Sequence, residues 1–145
     1  MMEKNTNLYV LNEIHKGAKM GMDSISSVSE KVSEPNFKDN LSFQYTQYGD
    51  ILDSVNEIYK KYGTIPKDDN PMTNVMAWTG IQMNTLTDKS NSHIADMLIQ
   101  GTTMGIIEGR KLLNQNPNID QEVRQVLDTF VKMQENNVEK LKTFL

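Results

Sequence analysis

Apolar residues stepping by threes and fours over long stretches constrain this chain more than any other feature. Leu11, Ile14, Ala18, Gly21, Ile25, Val28 and Val32 keep that step, as do Leu41, Tyr45, Tyr48, Leu52, Val55, Tyr59 and Tyr62. Val123, Leu127, Phe130, Val138, Leu141 and Leu145 share one face in a third stretch. Residues three and four apart lie on one side of an α-helix, whereas a strand needs strict alternation, so each run writes an apolar stripe along a helix. Breakers are scarce: the 145 residues include 8 Gly and 4 Pro, a smaller share than average. That length suits one domain, residues 1–145, with a core of its own.

Punctuation divides the stripes. Glu34-Pro35-Asn36 starts a segment, since Pro suits the first helical turn. Lys60-Lys61-Tyr62-Gly63, with Pro66 beyond, reads as a helix stop, and Asn70-Pro71 as another start. Asn114-Gln115-Asn116-Pro117 ends a helix, and Asn118 with Gln121 resembles a capping box. Helices are expected near 7–33, 36–62, 71–88, 91–115 and 119–144, with the break at 89–92 marked by neither Gly nor Pro. Four helices of about 25 residues would each run about 37 Å, the dimension of a four-helix bundle.

The chain also repeats itself. Gly17-Ala18-Lys19-Met20-Gly21 recurs as Gly101-Thr102-Thr103-Met104-Gly105, and Ile14 and Val28 correspond at the same offset to Leu98 and Leu112. A glycine every fourth residue bares a strip of backbone, so the pair of strips predicts a close helix contact at Gly17, Gly21, Gly101 and Gly105. That signal is best known from membrane helices. The alternative is that the glycines make room for bulky Met and Tyr neighbours. The repeat marks two related hairpins, 7–62 and 91–144, joined by a crossover too long for a tight turn. Met72, Val75, Met76, Trp78, Thr79, Met83 and Leu86 give that crossover an amphipathic helix of its own.

Two stretches, Leu11-Asn12-Glu13-Ile14-His15-Lys16-Gly17-Ala18-Lys19-Met20-Gly21 and the run from Thr87 to Gly101, carry a resemblance. With the helix count, order and repeat, the chain resembles the ferritin-like superfamily, in particular a small bacterial branch of uncharacterised ferritin-like four-helix-bundle domains. The resemblance implies an all-α ferritin-like bundle with an extra helix in the long crossover. It supplies a fold rather than a reaction. Ferritin-like metalloproteins place Glu on two helices and Glu-x-x-His on the other two. This sequence has no Glu-x-x-His. Asp53-x-x-Asn56 and Gln134-x-x-Asn137 stand near where the motifs would fall, and Asn and Gln are poor iron ligands. No diiron site, metal or other cofactor is therefore expected.

Composition narrows the rest. With no Cys, disulfides and thiolate zinc sites are excluded. A net charge of −4 speaks against a nucleic-acid partner. No stretch approaches the about 20 apolar residues of a membrane span. The residues after Met1 lack the apolar core of a secretion signal, so a cytoplasmic protein is expected. No phosphate loop, Gly-x-Ser-x-Gly or His-Glu-x-x-His is present.

Three features carry what functional signal there is. On a helical wheel Glu108 falls within its apolar arc, His15 lies beside Leu11 and Ala18, and Asn56 flanks Leu52 and Tyr59, so a polar core cluster of His15, Asn56 and Glu108 is one expectation. The competing one sends Glu108 to solvent. Gln134 and Asn137 fall among Phe130 and Leu141. Ten Met residues, Met20, Met22, Met97, Met104 and Met133 among them, line expected core faces; thioethers adapt to irregular cavities and to promiscuous surfaces. Trp78, Ile81 and Met83 are candidates for homo-oligomer contact. The sequence thus favours a non-enzymatic binding or self-association protein. A metal-dependent oxidase built on Glu108 and a carrier of small apolar ligands are the alternatives, and the carrier requires a cavity of about 300 Å³ or more.

Overall fold

A computed structural model describes residues 2–64, 88 and 90–145, with side chains from Asn5 onward in the first helix. The described residues form four helices and no strand: α1 (Met2–Ser29), α2 (Pro35–Lys61), α3 (Asn91–Gln115) and α4 (Gln121–Lys142). The helix expected near 71–88, with Met72, Met76, Trp78, Ile81 and Met83, lies outside the described residues.

Local chemistry sets the helix ends. The Glu34 carboxylate accepts the backbone N–H groups of Asn36 at 3.0 Å and Phe37 at 2.8 Å, capping α2 just before Pro35. At its other end Lys60 and Lys61 occupy the last turn, and Gly63 follows at φ +68°. Only glycine adopts that left-handed conformation without strain. α3 opens at Ser90, whose hydroxyl accepts the His93 N–H at 3.2 Å. Asp88 accepts the Ser90 N–H at 2.9 Å, and this bond holds its carboxyl below the usual range. An Asp-x-Ser start thus replaces the missing Gly or Pro at this break.

Three boundaries move. α1 begins at Met2 instead of 7, through polar residues with no apolar step, and ends at Ser29 instead of 33. α4 begins at Gln121, and Asp120, not Asn118, is its N-cap. The Asp120 carboxylate makes no capping bond, because it accepts the Tyr62 hydroxyl from α2 instead.

That contact belongs to a polar latch at one end of the bundle. Asn7 is buried near the start of α1, and its Oδ1 accepts the Asp120 backbone N–H at 2.7 Å. The Tyr59 hydroxyl donates to Asn12 Oδ1, and Lys61 pairs with Glu122. The start of α1, the end of α2 and the start of α4 therefore meet, and the short 116–120 turn brings the end of α3 to the same place. At the opposite end Phe37 stacks on Phe144 with ring centroids 4.4 Å apart. α1 consequently runs antiparallel to both α2 and α3, and the end of α2 and the start of α3 lie at opposite ends of the bundle.

The core follows the stripes. Leu11, Ile14, Ala18, Ile25, Val28 and Val32 are buried, as are Leu41, Tyr48, Val55, Tyr59, Val123, Leu127, Phe130 and Leu141. Tyr45 is an exception at 41% exposed, and Leu145 stands beyond the last turn, also in solvent. In α2 the stripe runs instead through Phe37, Leu41, Gln44, Tyr48, Ile51, Val55 and Ile58, which turns Tyr45 outward. Packing is strongest within the pairs α1–α2 and α3–α4, and thinner between α1 and α3. No described helix is long and apolar enough to cross a membrane.

Candidate functional site

The thin α1–α3 contact opens into a groove with a cavity volume of about 420 Å³. α1 and α3 form its walls, and side chains from α2 and α4 form its floor. All four glycines of the repeat line it. The close contact expected between Gly17, Gly21, Gly101 and Gly105 is not what they make. A Cβ at Gly17 would come 3.0 Å from the Phe130 ring of α4, and one at Gly21 would run into the Tyr48 ring of α2. One at Gly105 would strike the Gln134 carboxamide of α4, and one at Gly101 would meet nothing within 4 Å. Gly17, Gly21 and Gly105 bare backbone so that large side chains from the flanking helices can reach beneath α1 and α3. Of the bulky Met and Tyr neighbours in the alternative reading, Tyr48 is one that the structure places there, and Phe130 and Gln134 are the others.

The floor is well determined. Tyr48 is buried, its ring meets Phe130 edge-on at 6.3 Å, and Thr102 lies near its hydroxyl. Burial pushes the Tyr48 hydroxyl up to about 12, Thr102 acting weakly the other way. The hydroxyl therefore remains a neutral hydrogen-bonding group at any ordinary pH. Gln44 and Gln134, at 2% and 3% exposed, complete the polar part of the lining, while Met20, Ile25, Met97, Leu98 and Leu112 make the walls apolar. At the rim Glu13 and Lys16 form a pair at 3.6 Å. Tyr9, Met104 and Ile107 leave large apolar surface exposed there, which places Met104 outside the core face expected of it.

The expected cluster of His15, Asn56 and Glu108 does not assemble as a buried group. The Glu108 side chain is 72% exposed at the groove rim, 3.6 Å from Lys111 Nζ. Its apolar arc borders the open groove, so the carboxylate reaches water, and burying it would be costly. His15 turns the other way, its ring edge-on to Tyr59 at a centroid distance of 6.5 Å. Asn56 has a buried Oδ1 without a hydrogen-bond partner among the described residues. Gln134 and Asn137 are buried as their place on the stripe indicates, whereas Asp53 is exposed.

Among the described residues no group of three or more His, Asp or Glu side chains could hold a metal ion. The chemistry on offer is reversible binding: apolar walls, a few neutral hydrogen-bonding groups at the floor, and charges confined to the rim. Sequence reasoning missed Gln44 and Thr102 as site residues. Gln44 carries a readable signal, a polar residue stepping between Leu41 and Tyr48 on an apolar stripe. Thr102 carries none, because only the fold brings it to Tyr48. No protein-family model, curated protein or solved structure matches this chain.

Proposed function

We propose that the protein is a non-enzymatic helical bundle of the ferritin-like arrangement that binds a small apolar molecule in the groove between α1 and α3. Two antiparallel hairpins whose connection joins opposite ends of the bundle support the arrangement, because one long crossover gives that order. The cavity of about 420 Å³ carries the binding reading. It lies within the range of about 300–1,000 Å³ typical of ligand pockets, and apolar walls with a few converging polar groups are their usual lining. The exposed position of Glu108 favours binding over an oxidase built on that residue.

The test uses the neutral fluorophore N-phenyl-1-naphthylamine, whose emission rises in apolar surroundings. The expected result is saturable binding at one site per chain, abolished by Gly101→Leu, which puts a side chain into the open space at that position. No binding to the natural sequence, or equal binding to the filled variant, overturns the proposal.

A further inference from the structure

Shape, hydrogen bonding and charge together narrow the kind of molecule the groove suits. The lining runs along α1 from Tyr9 to Ile25, about 24 Å at the helical rise. A cavity of about 420 Å³ spread over that length has a mean section of about 18 Å². A helix with its side chains is about 10 Å across, a section of about 80 Å². A partner helix would therefore rest on the rim, whereas one extended alkyl chain fits along the floor over the bare backbone of Gly17, Gly21, Gly101 and Gly105.

The hydrogen-bonding groups select the polar end. The Gln134 amide donates to the Phe130 carbonyl oxygen at 3.4 Å, and its own carbonyl oxygen is directed at Gly105 in the groove wall. Gln44 donates its amide to Asn40 Oδ1 at 2.6 Å. Neither glutamine carbonyl oxygen receives a donor among the described residues, although both side chains are nine-tenths buried and line the groove. Each oxygen keeps some accessible surface, so an O–H or N–H on a ligand in the groove can donate to it. Both oxygens repel a carboxylate. The charged lining residues are Glu13, Lys16 and Glu108, and Lys16 is paired with Glu13, so among the described residues the rim offers an anion no unpaired cation. A cationic head at the floor would lose its water with no counter-charge in place.

Resting on the binding role proposed above, we infer that the groove takes a single-chain alkyl amphiphile with an uncharged, hydrogen-bond-donating head group, such as an alcohol or primary amide. The chain lies along the glycine-lined walls, and the head donates to Gln134 or Gln44.

Displacement of N-phenyl-1-naphthylamine by 1-decanol, decanoate and decylammonium, each kept monomeric, tests this on the full chain. Decanol is expected to displace at a concentration about tenfold or more below that of either charged analogue. Gln134→Met is expected to lower the affinity for decanol about tenfold relative to the affinity of the same variant for the fluorophore. Gln44→Met provides the same readout from the other floor residue. Equal or tighter binding of decanoate or decylammonium overturns the inference, as does unchanged decanol affinity in both glutamine variants. Fluorophore binding blocked by Gly101→Leu but indifferent to head group refutes the inference and leaves the binding role standing. No fluorophore binding refutes both.

Discussion

Replacing Gly21 and Gly101 by alanine, one at a time, separates the two things these glycines do. Each substitution removes a glycine from a helix interior and gains about 1 kcal/mol of helix propensity. At Gly101 nothing lies within 4 Å of the new methyl group, so the gain survives. Gly101→Ala is expected to be more stable by about 1 kcal/mol, or about 3 °C in midpoint for a chain of this size. At Gly21 the methyl group would meet the Tyr48 ring at less than contact distance. That ring cannot swing aside cheaply, because it is buried and packed edge-on to Phe130. Overpacking of this kind costs about 1–3 kcal/mol. Because the propensity gain cancels between the variants, the difference between them should be about 1–3 kcal/mol in favour of Gly101→Ala. Urea denaturation followed by circular dichroism measures it. Equal midpoints, or a more stable Gly21→Ala, refute the claim that Tyr48 fills the space beneath α1.

Other parts of the account are checked in the same assay. Asn7→Ala leaves the Asp120 N–H without its acceptor and is expected to lose about 1–3 kcal/mol. Glu108→Ala should change stability by less than about 0.5 kcal/mol, since its carboxylate is in water beside an exposed Lys111; a larger loss would mean that it has a buried partner. Burial raises the Tyr48 and Tyr59 hydroxyls to about 12 from 10.0, so the folded chain holds protons that the unfolded chain releases. Their contribution is complete below pH 10 and falls as pH rises toward 12, and Tyr48→Phe should flatten part of that fall. A pH-independent midpoint over this window contradicts the burial of both rings.

The fold was legible where apolar spacing and punctuation coincide. Leu11 to Val28, Glu34-Pro35, the Lys60-Lys61-Tyr62-Gly63 stop and Leu127 to Leu141 define helices that the structure contains. The first turn of α1 was not legible, because Asn5, Thr6 and Asn7 are polar, and Asn7 is held by the latch to the start of α4 instead of by an apolar face. Tyr45 and Tyr48 look equivalent as members of one stripe, yet Tyr45 is exposed and Tyr48 is buried. Only Tyr48 finds a bare neighbour, Gly21, to pass beneath. The repeat pointed to four glycines, but the nearest neighbours of Gly17, Gly21 and Gly105 are side chains of α2 and α4 and not each other. Spacing shows where backbone is exposed, but what fills the space depends on the size of side chains arriving from α2 and α4. Glu108 misled for a related reason: an apolar arc on a wheel does not distinguish a core from an open groove.

The central claim is that the glycine-lined space between α1 and α3 receives the ligand, and the backbone amides of the glycines report on it directly. In a ¹H–¹⁵N correlation spectrum titrated with 1-decanol, the account predicts saturable shifts at Gly17, Gly21, Gly101 and Gly105. Gly49 and Gly63, which do not line the groove, should stay in place. Shifts concentrated at Gly49 or Gly63, or no saturable change at Gly17, Gly21, Gly101 and Gly105, would contradict it.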